Sequence, residues 1–174
     1  MLSINSTKLL TIVGQGVVVG DVGKIEAVIS INSDGAGKMM QSALQKGKYH
    51  NFVSSPEKIK SIILFSSGAV YTSTYSYRTI CERLKRLGVN MFVAIPGQLF
   101  LNDSKVESIF EKDAPNTFTM ISQTQDAGDY MDVYKSKSDR KEGQRIRSYI
   151  LFDSGHLYPS TINLKTILKN NSQP

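Results

Sequence analysis

Residues 57–68 read EKIKSIILFSSG, and residues 144–155 nearly repeat them as QRIRSYILFDSG. Each segment contains a short apolar run that ends in a Ser-Gly pair. A second run follows each pair, AVYTS in the first case and HLYPS in the second. Two β-prone runs separated by a glycine turn are typical of a β-hairpin. The sequence therefore predicts that this chain builds the same hairpin twice.

The similarity extends well beyond the two hairpins. Residues 57–84 align with 144–171 without a gap, at an offset of 87, and 12 of these 28 positions are identical. Further back, GVVVGDVGKIEAVI at 16–29 aligns with GQLFLNDSKVESIF at 97–110 at an offset of 81. The second copy therefore has six more residues, which KSKSDRKEGQ supplies with the composition of an exposed loop.

The chain is therefore predicted to contain two copies of one unit, residues 1–86 and 87–174, packed side by side across a short joint. Hydrophobic periodicity and glycine positions give each unit the order β-β-β-α-β-β-α, a small α+β fold. In the first unit, the segment GAGKMMQSALQKG should form the first helix and stop at its final glycine. The last helices should be capped by Ser73/Thr74 and by Ser160/Thr161.

Composition favours a folded protein of the cytoplasm. The 174 residues are 40% hydrophobic, and no run approaches the roughly 18–20 apolar residues of a membrane span. The beginning, MLSINSTKLLTIVGQG, lacks the features of a signal peptide. Cys81, the one cysteine, sits on the apolar face of a predicted helix, where a structural thiol in a reducing compartment is expected.

Charge is distributed unevenly along the chain. Residues 1–86 contain 11 Lys and Arg against 5 Asp and Glu, which gives +6, whereas residues 87–174 contain 10 of each kind. A basic half favours a polyanionic partner such as nucleic acid. A soluble protein with an ordinary charge bias is the alternative.

Catalytic chemistry is not indicated. His50 and His156 lie in different parts of the two copies, and neither has a neighbouring cysteine or histidine suited to zinc. Asp153, Ser154 and His156 contain the residue types of a hydrolase triad, but the first copy has SSGA at 66–69, so a role in the turn is expected. We expect no catalytic residue, no metal and no cofactor.

The glycines before the first helix raise the question of phosphate binding. GAGK at 35–38 precedes a helix and ends in Lys38, but it lacks the spacing of a P-loop, so a nucleotide pocket is only weakly indicated. A DNA phosphate at this helix N-terminus would need only free N–H groups and Lys38.

Basic residues recur at matching positions of the two copies. One pair begins the matching third strands, and two further pairs have the spacing i, i+2 before the repeated hairpin, which would place both cations on one strand face. Such repeated cations suit a phosphate backbone, although a solvated strand edge is the alternative. The predicted DNA-binding residues are Lys24, Lys58, Lys60, Lys105, Arg145 and Arg147, and the secondary ones are Lys38, Lys135, Lys137, Arg140 and Lys141.

With these residues the chain resembles the RemA family of bacterial extracellular-matrix (biofilm) gene regulators, once per copy. The first copy resembles the family in IVGQGVVV, KIEAVIS, GKMMQSALQKG and KIKSIILFSSGAVYTS. The second does so in FVAIPGQLFL, KVESIF and RIRSYILFDSGHLYPS. The resemblance implies a DNA-binding transcription regulator whose units form a ring, with duplex DNA on its basic exterior. Small-molecule cofactors and membranes are not implied as partners.

The chain also departs from the family pattern. Family members have arginine at the positions of Lys24 and Lys105, and adjacent arginines where this chain has Glu57-Lys58 and Gln144-Arg145. Lysine lacks the bidentate grip of arginine on phosphate, and Glu57 is repulsive. A second hypothesis therefore stays open: an assembly protein without DNA binding, which scaffolds rings of single-unit relatives or poisons them.

Overall fold

The computed structural model of the protein describes residues 8–134 and 145–171. Its strands and helices follow the predicted order in the first half, with one additional strand of two residues after the first helix. This confirms the α+β class. The first half contains β1 (Leu9–Val13), β2 (Val18–Asp21), β3 (Ile25–Ser30), α1 (Ala36–Gln45), β4 (Tyr49–His50), β5 (Ser61–Phe65), β6 (Val70–Ser73) and α2 (Tyr77–Arg86).

The second half repeats this order among its described residues. Strands β2 and β3 and helix α1 recur 81 residues later, and strands β5 and β6 recur 87 residues later, in agreement with the two sequence offsets. None of the helices in the described ranges is both long and apolar enough to cross a membrane. The division into units 1–86 and 87–174 stays a prediction. The second half contains β7 (Met91–Ile95), β8 (Leu99–Asn102), β9 (Val106–Glu111), α3 (Thr117–Asp126), β10 (Ser148–Phe152), β11 (Leu157–Ser160) and α4 (Leu164–Asn171).

The repeated segment forms the hairpins β5–β6 and β10–β11. In the first turn the Phe65 N–H donates to the Ala69 carbonyl and the Gly68 N–H donates to the Phe65 carbonyl, both at 2.9 Å. Gly68 has φ +90°, and Gly155 at the same place in the second turn has φ +92°. A side chain at either position would strain the left-handed backbone, which explains why both copies keep glycine there.

The two halves share one sheet. It has six strands in the order β4-β6-β5-β3-β8-β7, so the first hairpin of the second half completes the sheet of the first half. Strand β8 runs antiparallel to β3, with Leu101 opposite Ala27 and Leu99 opposite Ile29. Strands β1 and β2 form a separate ribbon, and β11-β10-β9 form a third sheet.

The apolar core has two parts, and β3 contributes to both. One part belongs mainly to the first half and includes Val28, Ile63 and Leu84, whereas the other is shared and contains Ile29 together with residues of the second half such as Phe152. All six residues of β3 are consequently buried. A strand buried on both faces reads as a nearly continuous apolar run, which fits IEAVIS except for its glutamate.

The structure corrects the helix caps. Helix α2 is capped by Ser76, not by Ser73 or Thr74, and the Ser76 hydroxyl accepts a hydrogen bond from a first-turn N–H. The Ser73 hydroxyl donates to the Ile12 carbonyl at 2.5 Å, and the Thr74 hydroxyl accepts from the Gly14 N–H at 3.1 Å. These two hydroxyls therefore fasten β1 to β6 and are not available to a helix.

The same correction applies in the second half. The Asn163 side chain accepts from the Thr166 N–H at 2.8 Å at the start of α4, where Ser160 and Thr161 were expected to cap. The Ser160 hydroxyl donates to the Ala94 carbonyl at 2.7 Å, and the Thr161 N–H reaches the same oxygen at 3.0 Å.

Gly35 allows a close contact between the halves. A Cβ at this position would lie 2.4 Å from the backbone of Val133, so Gly35→Ala should lower the free energy of unfolding by about 1–3 kcal/mol through overpacking. Gly37→Ala, two residues further along α1, is the matched control, because a Cβ there meets nothing within 4 Å. That control should be neutral or stabilising by up to about 1 kcal/mol. Urea unfolding measures both, and equal midpoints for the two variants would contradict this packing.

Candidate nucleic-acid interface

Lys24 and Lys105 end two short turns that lead into equivalent strands. Each is the last residue of a one-turn 3-10 helix, Val22–Lys24 or Asp103–Lys105, directly before β3 or β9. They therefore precede the strands that they were predicted to begin. The turns are held by side chains, because the carboxylate of Asp21 accepts from the Gly23 N–H at 2.9 Å and the Asn102 side chain acts in the same way on the next turn.

Both lysines lie at the same end of the shared sheet. The Asn102 amide, directly before the second turn, donates to the Ile25 carbonyl, directly after Lys24, at 2.8 Å. Lys24 is exposed and Lys105 is partly exposed. These two residues are called the first basic group below.

Four cations form the second basic group: Lys58, Lys60, Arg145 and Arg147. Lys58 ends the 3-10 turn Pro56–Lys58, and Lys60 immediately precedes β5, so the prediction that both lie on the strand is wrong. A proline begins this turn, and its ring cannot donate to a sheet ladder. The predicted alternation of exposed and buried side chains is nevertheless present, because Ile59 is buried while both lysines are exposed.

The second half places its two arginines equivalently before β10. The Arg147 N–H donates to the Ser160 carbonyl at 2.8 Å, as the Lys60 N–H donates to the Ser73 carbonyl at 2.8 Å. Arg145 is exposed and Arg147 is partly exposed. Each half therefore presents two cations at the same point of its fold, with a backbone fixed by a strand end.

The two basic groups lie at opposite ends of the strands. The Ile31 N–H donates to the Lys60 carbonyl at 3.2 Å, so Lys60 is next to the carboxyl end of β3, whereas Lys24 lies at its amino end. In the second half, the Lys112 N–H donates to the Arg147 carbonyl beyond β9. Six residues of strand span about 20 Å. The six predicted cations therefore do not form one continuous patch.

The secondary predicted DNA-binding residues are Lys38 and four cations of the loop after Tyr134. The ammonium group of Lys38 contacts the carboxylate of Asp132, so it is engaged by an acid of the second half. A phosphate at the start of α1 would have to compete with this carboxylate. The loop cations Lys135, Lys137, Arg140 and Lys141 lie outside the described residues.

Helix α2 is a basic surface that the sequence analysis missed. It contains four cations and one acid, and the guanidinium of Arg83 lies 4.0 Å from the centre of the Tyr75 ring. The composition of YRTICERLKR was a visible signal. The repeat does not reveal it, because among the α2 cations Arg78 is the one with a basic counterpart, Lys165, in the described part of α4.

A second feature that the sequence analysis missed is a buried carboxylate between the halves. Glu26 on β3 is fully buried. One oxygen accepts from the His156 Nδ1 at 2.6 Å and from the Tyr158 hydroxyl at 2.5 Å, and the other accepts from the Ser154 hydroxyl at 2.6 Å. Three donors from the second half thus satisfy an acid of the first half, as a buried carboxylate requires.

This arrangement joins the halves and differs from that of a hydrolase. In a triad the serine hydroxyl donates to histidine, whereas here Ser154 and His156 both donate to the carboxylate of Glu26. Burial, and after it the charge and hydrogen bond of Glu26, raises the pKa of Tyr158 well above its ordinary value near 10. Burial also raises the pKa of the Cys81 thiol to about 12. The described ranges contain no cluster of three His, Cys, Asp or Glu placed to hold a metal.

A family model matches most of the first half, from β1 to α2. Residues 10–84 match the RemA-like family model. This family is described as extracellular matrix regulatory protein A-like. No curated protein matches the chain. The RemA-like segment, residues 10–84, contains Lys24, Lys58 and Lys60, whereas Lys105 and the two arginines lie beyond it.

Tyr158→Phe tests the buried carboxylate. The variant keeps the ring but removes a donor to a charged group, so the free energy of unfolding at pH 7 should fall by about 1.5–3 kcal/mol. Because the folded-state pKa of Tyr158 is raised, this stabilisation is present below about pH 10 and is lost as the pH rises through the folded pKa. The wild type should therefore lose stability above pH 10 more steeply than the variant.

Urea unfolding across a pH series measures this difference. Tyr71→Phe is the matched control, because Tyr71 holds the same place in the first half and is partly exposed. It should change stability much less. A Tyr158 variant as stable as this control at pH 7, with the same alkaline slope as the wild type, would exclude the role assigned to the hydroxyl.

Proposed function

We propose that the protein is a cytoplasmic regulator of extracellular-matrix genes, which associates with itself and holds duplex DNA through repeated contacts of Lys and Arg with phosphates. The single observation that carries the proposal is the equivalent placement of Lys58 with Lys60 and of Arg145 with Arg147 before matching strands. The family description of the RemA-like segment supports the regulatory part.

The geometry of these residues suits a phosphate backbone. A hydrogen bond to the neighbouring strand fixes the backbone of Lys60, and another fixes that of Arg147, so a contacting phosphate would order only their side chains. Such contacts release counterions and give a steep salt dependence. They carry no base information, so sequence preference would come from DNA shape and deformability.

The two halves should contribute unequally to affinity. Glu57 is exposed and directly precedes Lys58, whereas the second half has a neutral glutamine at the same place. The second half also uses arginine, whose guanidinium grips phosphate in a bidentate manner. We therefore expect Arg145 and Arg147 to be the stronger contacts, with Lys58 and Lys60 weakened by the neighbouring acid.

A gel-shift titration with generic duplex DNA tests the proposal. Binding by the wild type should weaken steeply between low and moderate salt, and combining Lys58→Glu with Arg145→Glu should abolish it. The matched control combines Arg78→Glu with Lys165→Glu, since these helix residues are also repeat equivalents and the net charge changes equally. The control should keep measurable binding. Glu57→Gln should tighten binding by removing a repulsive charge.

The outcomes discriminate between surfaces. Loss of binding in the helix control, with binding kept in the Lys58 and Arg145 variant, would move the interface to α2 and α4. A wild type without affinity for DNA at low salt would overturn the DNA-binding function altogether.

A protein of assembly without DNA binding is the second candidate. The ion pair of Lys38 with Asp132 favours it, because a cation predicted to meet phosphate is already engaged. The balanced charge of residues 87–174 favours it as well. A stable oligomer by light scattering, together with no gel shift at low salt, would select this candidate.

A further inference from the structure

Strands β3 and β9 occupy equivalent places but differ in what covers them. Within the chain, β8 pairs with the edge of β3 and the second half packs on its face, so all six residues of β3 are buried. Strand β9 is the edge of its three-stranded sheet among the described residues, and each of its six residues is partly or fully exposed.

The partner strands show the complementary difference. All four residues of β8 are buried, because β8 lies between β3 and β7. Its equivalent β2 pairs with β1 alone among the described residues and remains accessible along its length. The side chain of Val19 is 48% exposed, whereas its equivalent Phe100 is 8% exposed.

We propose that β2 of one chain adds to β9 of a second copy of this chain, antiparallel, in the register that joins β8 to β3 within the chain. Val28 lies opposite Phe100 within the chain, so the offset of 81 places Ile109 opposite Val19 between chains. The inference rests on the proposed self-association and is independent of DNA binding.

The physical reason is that two strand edges of one molecule, each without a pairing strand among the described residues, match each other. An edge strand carries unpaired N–H and C=O groups and is a template for another strand. The pairing would also remove Val19, Ile109 and Phe110 from water, as it does for their buried equivalents within the chain. Because the two edges are different surfaces, the contact is head-to-tail and repeats until the rotation closes a ring.

The contact between chains should be weaker than the contact within the chain. Glu26 is satisfied by donors at 154, 156 and 158, whereas its equivalent Glu107 is exposed. The offset of 87 would bring Ser67, Ala69 and Tyr71 of the second copy to Glu107. Alanine offers no side-chain donor, so this carboxylate would be buried with two donors in place of three.

The close backbone approach at Gly35 also differs from what the equivalent position in the second half allows. Gly35 lets the backbone of Val133 approach so closely that a Cβ would lie at 2.4 Å. Its equivalent in the second half is Asn116, which has a side chain and φ +68°. The equivalent loop of the second copy must therefore stand farther off, which reduces the packing between chains. The fused chain is consequently the unit into which the assembly dissociates.

Disulfide trapping tests the register. In a Cys81→Ser background, one chain carries Val19→Cys and another carries Ile109→Cys. Opposite residues of antiparallel strands lie within disulfide range. After mild oxidation, a covalent dimer should form in the mixture and in neither chain alone.

The register control replaces the second chain with one that carries Phe110→Cys. Neighbouring residues of a strand point to opposite faces, so this mixture should form far less dimer. Equal yields from the two mixtures, a dimer from the Val19→Cys chain alone, or no dimer from the Val19→Cys and Ile109→Cys mixture when the wild type associates would overturn the proposed pairing. A wild type that sediments as a single chain at all concentrations would overturn the self-association as well.

Ala69→His tests the weaker contact between chains, because histidine supplies the donor to Glu107 that alanine lacks. Sedimentation velocity without DNA should show assembly tightened by about tenfold, the value of one hydrogen bond to a charged group. The gain should disappear when Glu107→Ala is added, because the acceptor is then absent. A gain that persists with Glu107→Ala, or no gain at all, would overturn the assigned contact. Because DNA is absent, failure here is distinguishable from failure in the gel shift.

Discussion

The antiparallel pairing of β3 with β8 is the interaction on which the rest of the structure depends. It attaches the first hairpin of the second half to the sheet of the first half, and it brings the second half over the face of β3 that the first half leaves uncovered. The apolar residues of β3 can then be buried on both sides, and Glu26 meets its three donors. Without this pairing, β3 would present an open edge, an apolar face and an unsatisfied acid to water.

The repeated elements could be predicted from sequence because they are local. The turn at Gly68 and Gly155, the apolar runs around it and the stop of α1 at Gly47 follow from backbone sterics and periodicity. The pairing across the halves could not be predicted. Leu99, Phe100 and Leu101 of β8 make both faces of this strand apolar, so its sequence does not indicate which strand of which half it pairs with. The caps failed for a related reason, since the Ser73 hydroxyl serves a strand far away in sequence.

The exposure of the candidate DNA-binding cations could be predicted from the sequence. Their division into two separate basic groups could not. Lys58 and Lys60 flank a buried isoleucine, which the sequence indicated even though Lys58 lies in a turn. The separation of Lys24 from Lys60 by a whole strand depends on where β3 begins and ends. Two further facts needed coordinates: Lys38 faces an acid 94 residues away, and Glu26 is fully buried.

The shared sheet also sets an order of events during synthesis. Strand β3 ends at Ser30, but the strand that covers its edge is finished only at Asn102. At about 5–20 residues per second, the growing chain would hold an uncovered, strongly apolar strand for roughly 4–14 s. During that interval the β2–β3 region resembles the surface that the finished protein keeps at β9. A nascent first half is therefore the stage at which pairing with the wrong chain is easiest, and the short joint after α2 keeps the correct strand the nearest one.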